Sequence, residues 1–241
     1  MSVRVALRLG RWQSVLGGVT CDALITDTPY SEKTQSGHNS ALIQRIRPEY
    51  AAKPRSGRPD PKGVYQRRSI SYAHWTPEDV QEFVTSWSPR TRGWFVAMTD
   101  HVLAPHWMTA LEAQGRYVFS PLAYMATGSR VRLVGDGPAQ WAVWIIVARP
   151  KTPEFVRWGA LPGGYVLPKG EQRKPVITGG KVPWLMDQLV TDYSKPGDVV
   201  CDPCAGAGTT LRSARALGRH AIGAEQDAAT HALALELLRA A

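Results

Sequence analysis

Val199-Val200-Cys201-Asp202-Pro203-Cys204-Ala205-Gly206-Ala207-Gly208-Thr209-Thr210 is the stretch that decides the fold. A short apolar run ends on an acid, turns through two glycines and enters a helical segment at Thr209 and Thr210. That is how a parallel strand hands over to a helix beside a bound ligand. Gly206 and Gly208 let the backbone approach that ligand with no Cβ in the way. Leu211 to Leu217 reads as the helix, stopped at Gly218, and Ala221 to Ala224 as the following strand, ending on Glu225. An acid about 20 residues beyond a glycine loop, at a strand end, is placed to hold ribose hydroxyls. Asp227 caps a last helix that runs almost to the end of the chain. Upstream, Trp184 to Tyr193 reads as a helix and Lys195-Pro196-Gly197-Asp198 as a turn.

Far from this loop in sequence, Cys21 to Thr26 reads as a buried strand that ends on Asp27-Thr28-Pro29-Tyr30. These residue types suit chemistry on an aromatic amine, whose lone pair is delocalised into its ring. Asp27 supplies a side-chain acceptor for the amine hydrogens. Pro29 has no N–H to donate and keeps the turn rigid, so the Thr28 carbonyl is a second acceptor. Tyr30 offers a ring face on which a base stacks. A base treated in this way must leave its duplex first, because its amine is out of reach in the stack.

At these residues the chain resembles the β-class DNA amino-methyltransferases, which carry Asp-Pro-Pro-Tyr ahead of the cofactor loop. The likeness extends over Cys21–Tyr30 and from Thr76 onward, and is greatest through Gly179-Gly180-Lys181, Pro196-Gly197-Asp198, Asp202 to Arg219 and Ile222-Gly223-Ala224-Glu225. It implies one α/β domain over residues 1–241 with the Rossmann-like S-adenosylmethionine-dependent methyltransferase fold. The sheet would be mixed and seven-stranded, mostly parallel, ending in an antiparallel hairpin strand, with helices on both faces and the motif order permuted. It implies S-adenosylmethionine as cofactor, double-stranded DNA as substrate, and direct methyl transfer with neither a covalent enzyme intermediate nor a metal. Asp27, Thr28, Pro29 and Tyr30 would be catalytic. Asp202, Pro203, Cys204, Gly206, Gly208, Thr209, Thr210 and Glu225 would hold the cofactor, Asp202 at its ammonium, and Lys181 would help with its carboxylate. Asp27 at the head of the motif favours adenine N6, whereas cytosine-N4 enzymes more often begin with Ser. Dimerisation is common in the family, so a homodimer is part of the expectation.

The chain departs from the family pattern at two positions. Thr28 replaces the first Pro, which leaves the carbonyl in place. Cys204 replaces the usual Phe of the loop, so another aromatic must pack against the cofactor's adenine.

The remaining composition fits this reading. The 241 residues are 44% hydrophobic, enough for one sizeable core, and the net charge of +9 favours a polyanionic partner. Three cysteines are too few for a disulfide scaffold. Cys201-x-x-Cys204 has no second pair to complete a metal site, and Cys204 reads as a small hydrophobe of the pocket. The longest apolar run, Trp141 to Ala148, is far short of the ~20 residues a membrane helix needs, and the N-terminus lacks a signal-peptide core. A soluble cytoplasmic protein is expected.

Two basic, loop-rich inserts, 31–75 and 150–180, are candidates for DNA contact and target recognition. Residues 31–72 carry nine Lys or Arg against three acids, and read either as a surface loop or as a loop that orders on DNA. Gly37-His38-Asn39 either approaches a flipped base or only shapes that loop; His101 and His106 read as incidental. Order returns at Thr76-Pro77, an N-cap with Pro at the first helical position, ahead of the stripe Val80, Phe83, Val84, Trp87. Trp94 to Met98, Tyr117 to Ser120 and Ala142 to Ala148 read as strands, and Pro105 to Ala113 as a helix. Cytosine N4 or structured RNA as acceptor, and a catalytically silent DNA-binding relative, remain the alternatives. A protein glutamine methyltransferase is disfavoured, because its motif usually begins with Asn and follows the cofactor loop.

Overall fold

The computed structural model describes residues 3–39, 72–126, 141–171, 175–177 and 179–240. Most of the first basic insert and Arg173 and Lys174 of the second lie outside them. The described chain forms one mixed sheet. Its parallel part is β1 (Val5–Leu9), β9 (His220–Glu225), β8 (Val199–Asp202), β2 (Ala23–Asp27) and β3 (Phe95–Thr99), in that spatial order. The antiparallel strand β6 (Ala142–Arg149) lies between β3 and β5 (Leu122–Met125). Two-residue strands complete the sheet: β4 (Tyr117–Val118) pairs with β6, and β7 (Tyr165–Val166) with β5. The order across the sheet is therefore β1-β9-β8-β2-β3-β6-β5-β7, with β4 off this path. The described residues form nine strands where the resemblance implies seven, and two of the nine, β4 and β7, are only two residues long. The expected strand to Ser120 stops at Val118. The antiparallel strand stands inside the sheet rather than at its end.

The strands are apolar on both faces because helices cover both, as parallel sheets require. On β2 the period of two sends Ala23 and Ile25 to one core and Leu24 to the other. The first core is closed by α6 (Pro183–Tyr193), α7 (Thr209–Ala216) and α8 (Ala228–Ala240), with Leu185, Leu189, Leu211 and Leu238 turned inward. The second is closed by α1 (Trp12–Val15), α3 (Pro77–Trp87) and α4 (Ala104–Ala113) through Trp12, Phe83, Trp87 and Trp107. α3 begins with a complete capping box, Thr76 and Asp79 each bonding the other's backbone N–H. The last helix begins at its expected cap, where Asp227 Oδ1 accepts from the Thr230 N–H at 2.8 Å.

Two further helices interrupt segments read as loop. α2 (Glu32–Asn39) starts immediately after the Tyr30 motif, and α5 (Pro153–Val156) lies in the second insert. The continuous loop expected from Ser31 thus gives way to a polar helix over 32–39, which includes the backbone of Gly37, His38 and Asn39. Among the described residues no helix is long and apolar enough to cross a membrane.

Candidate active site

β2 and β8 are neighbours and point the same way, so the segments that follow them emerge at one edge of the sheet. This places Asp27, at the end of β2, beside the glycine loop that follows β8. Both line a single cavity of about 740 Å³. Its walls include Asp27, Pro29, Lys181, Asp202, Pro203, Cys204, Gly206, Thr209, Thr210 and Glu225. Of the residues singled out in sequence, Thr28, Tyr30 and Gly208 do not line it. Thr28 turns inward to donate to the Met98 carbonyl at 3.3 Å, and Tyr30 donates to Asp27 Oδ1 at 3.1 Å.

The turn after β2 is held from three sides. The Tyr30 carbonyl accepts from the Trp75 N–H at 3.0 Å. The Ser31 N–H and hydroxyl both donate to Asp100 Oδ2, the N–H at 2.9 Å. The other oxygen of Asp100 accepts from the N–H groups of Val102 and Leu103, each at 3.0 Å, at the start of α4. Burial pushes the Asp100 carboxyl up, but its bonds from Ser31, Thr34 and Leu103 outweigh this and hold it below its ordinary value.

The loop after β8 is built on its glycines. Gly206 has φ +52° and Gly208 φ +72°, the left-handed region, and Gly208 is the residue ahead of α7. The loop closes through Gly208 N–H to the Ala205 carbonyl at 2.8 Å, and is tied to β9 through Ala205 N–H to the Ala224 carbonyl at 2.9 Å. Asp202 Oδ1 accepts from Thr26 Oγ1 at 2.8 Å and from the Cys204 N–H at 3.1 Å. Burial raises the Asp202 carboxyl to about 6, and also raises Glu225 and the Cys204 thiol. Cys201 is buried in the second core, and Cys204 packs against that core while lining the cavity.

Lys181, read in sequence as a partner of the cofactor's carboxylate, lines the cavity and also reaches the acceptor motif. Its Nζ lies 2.6 Å from both Asp27 oxygens and 5.0 Å from the Tyr30 ring centroid. Burial pushes the Asp27 carboxyl above its ordinary value, while Lys181 and Tyr30 pull it back.

Several cavity residues were not singled out in sequence as part of the site: Arg11, Trp12, Tyr72, Trp75, Ile177 and Met186. Trp12, Tyr72 and Trp75 are the aromatics available to replace the Phe missing at Cys204. Asp100 lies just beyond the segment Trp94 to Met98 that reads as a strand. Its signal was position, since β3 runs parallel to β2 with Asp27 opposite Met98.

Residues 180–236 match the DNA methylase family model N6_N4_Mtase. Over 59 residues the chain is 42% identical to the type II methyltransferase M.HinfI of Haemophilus influenzae, a stretch covering 24% of this chain and 16% of that protein. The fold is shared with M1.HpyAVI in its complex with SAM, at TM-score 0.63 and 17% identity over 97% of this chain and 98% of that one. It is also shared with TTHA0409, a putative DNA modification methylase of Thermus thermophilus complexed with S-adenosyl-L-methionine, at TM-score 0.58 and 18% identity, covering 98% of this chain and 93% of that one. The cytosine-N4-specific PvuII DNA methyltransferase is similar at TM-score 0.57 and 12% identity, covering 98% of this chain and 86% of that one.

Proposed function

We propose that this chain, whose residues 180–236 match the N6/N4 DNA methylase family model, transfers a methyl group from S-adenosylmethionine to the N6 amine of an adenine flipped out of double-stranded DNA. The observation that carries the reading is the opening of the Asp27 turn and the Gly206–Gly208 loop onto one cavity. The residues present fit the cofactor. The loop has no Cβ at its two left-handed positions, and the buried Asp202 carboxylate suits an ammonium. Glu225 stands one strand further at a cavity wall, where it suits ribose hydroxyls. Bound there, S-adenosylmethionine supplies a methyl group on a positively charged sulfur, which departs with the electron pair of the broken bond.

The chain's own part is binding and orientation. Asp27 accepts a hydrogen bond from one amine hydrogen and the Thr28 carbonyl from the other, so the nitrogen lone pair turns out of conjugation and toward the methyl group, and the methylated nitrogen then releases one proton to solvent. Tyr30 braces Asp27 through its hydroxyl from behind the cavity wall. Electrostatic and orientational effects of this kind need neither a covalent intermediate nor a metal. The basic inserts 31–75 and 150–180 supply phosphate contacts, and the net charge of +9 steers the protein to DNA. Assembly as a homodimer belongs to the same proposal.

Mass spectrometry of nucleosides from mixed-sequence duplex DNA, incubated with the protein and S-adenosylmethionine, tests the reading. N6-methyladenine is expected. N4-methylcytosine would keep the mechanism and overturn the choice of base; no methylated base alongside measurable cofactor binding would overturn DNA as the substrate. Asp27→Ala should abolish turnover and leave cofactor binding largely intact.

A further inference from the structure

Asp27 takes three hydrogen bonds among the described residues, and they are unevenly shared. Oδ1 accepts from Lys181 Nζ at 2.6 Å and from the Tyr30 hydroxyl at 3.1 Å. Oδ2 accepts from Lys181 Nζ alone, at 2.6 Å. A carboxylate oxygen has two lone-pair sites, so Oδ1 is saturated and Oδ2 keeps one acceptor position. The pair is well shielded, with side chains 8% and 16% exposed for Lys181 and Asp27. Lys181 is delivered by the turn Gly179-Gly180 immediately ahead of α6, and Asp27 by the end of β2, so the contact joins two separate parts of the cavity wall.

We propose that Lys181 is a positioning residue for methyl transfer: it keeps the Asp27 carboxylate ionised and in one orientation, leaving Oδ2 to accept the target amine's hydrogen. This rests on the methyltransferase reading above and gives Lys181 a role in the acceptor half of the site. The groups facing Asp27 set the sign of the effect. They are Lys181 ahead of α6, Tyr30 after β2, Tyr72 ahead of α3, Asp202 at the end of β8 and Cys204 in the loop after it. Of these only Lys181 is a cation; burial and the carboxylate of Asp202 both favour a neutral Asp27. A protonated Asp27 carries a hydroxyl that donates, where an amine needs an acceptor.

Three measurements on wild type and Lys181→Met decide it: the Asp27 carboxyl titration by carbon-13 NMR in the unliganded protein, assigned with Asp27→Asn; the pH profile of single-turnover methylation; and S-adenosylmethionine affinity by calorimetry. The expected result is an Asp27 titration in Lys181→Met at least about one pH unit higher, with the acid limb of the rate moved the same way. Where the variant's Asp27 is protonated and the wild type's is not, the rate then falls about tenfold for each pH unit by which the titration has moved, and returns as pH rises. Cofactor affinity changes little. An unmoved titration and profile overturns the proposal, and weaker cofactor binding with an unmoved profile reassigns Lys181 to the cofactor's carboxylate. A wild-type protein that methylates no base removes the methyltransferase reading and the positioning role with it, whereas an unmoved titration in an active enzyme removes only the positioning role. Lys181→Gln gives the same comparison if the Met variant does not fold.

Discussion

Thr26 Oγ1 donates a 2.8 Å hydrogen bond to Asp202 Oδ1, across two adjacent parallel strands. Both residues are buried, at 0% and 2% exposure. Thr26 immediately precedes the proposed amine acceptor, and Asp202 begins the proposed cofactor loop. One bond therefore fixes the distance between the two halves of a site whose motifs lie at opposite ends of the chain. No spacing in the sequence could have announced it.

Thr26→Val keeps the shape of this side chain and removes its donor. Asp202 then keeps its burial but loses one of the bonds that stabilise its charge, so its carboxyl rises further. The expected cost is about 1–3 kcal/mol of stability, the range for leaving a buried acceptor short of a partner. Cofactor affinity should fall, because less of the Asp202 carboxyl is ionised at neutral pH. Thermal unfolding and calorimetric titration with S-adenosylmethionine check both. An unchanged melting temperature would remove the bond from the account.

Asp202 itself should stabilise the unliganded protein when neutralised. Its folded value is raised by burial from 3.8 to about 6. The folded state therefore binds a proton more tightly than the unfolded chain, and its stability falls as pH rises through that window. Asp202→Asn removes the penalty and keeps an oxygen able to accept from Thr26 and the Cys204 N–H. The variant should melt higher than wild type at pH 8, with the gain shrinking towards pH 4, while its cofactor affinity drops. A gain independent of pH would show that the titration of Asp202 is not its source.

Asp100 ties the acceptor turn to α4, one oxygen on Ser31 and the other on the helix N-terminus. Asp100→Ala should cost about 1–3 kcal/mol, as for leaving buried N–H groups without their acceptor. It should lower the methylation rate more than it weakens cofactor binding, because the turn it frees carries Asp27 and not the glycine loop. Equal losses in both would mean that Asp100 supports the fold alone.

The parts of the molecule that were legible in sequence are those where local chemistry and burial agree. β2, β3, β6, β8 and β9 are short apolar runs with turn residues at their ends, and α3 announces itself by Thr76-Pro77 and a stripe at helical spacing. The convergence of Asp27, Asp202 and Glu225 followed from each standing at the end of such a strand. What escaped was set by tertiary context. β1 is an edge strand whose apolar residues are interrupted by Arg8 and preceded by Arg4, and its pairing with β9 spans nearly the whole chain. α2 is polar along its length and sits where the composition reads as loop. Lys181 stood in a recognisable segment, yet its contact with a residue 154 positions earlier depends on how the turn ahead of α6 meets β2.

Gly223 tests how closely the cofactor loop is packed. It lies opposite Asp202 in the β8–β9 register, and a Cβ there would stand 2.8 Å from the Asp202 carbonyl oxygen and 3.0 Å from both Ala205 Cβ and Leu211 Cδ1. Backbone cannot rotate away as a side chain does, so Gly223→Ala must push β8 or the loop it leads into. The expected loss is about 1–3 kcal/mol, as for overpacking in a filled core, together with weaker cofactor binding, because the displaced atoms belong to Asp202 and its neighbours. Gly17→Ala is the matched control. A Cβ at Gly17 meets nothing within 4 Å and its φ is not positive, so that variant should stay within about 0.5 kcal/mol of wild type. If the two variants melt together, the loop has room that this packing denies it, and Gly223 plays no part in shaping the site.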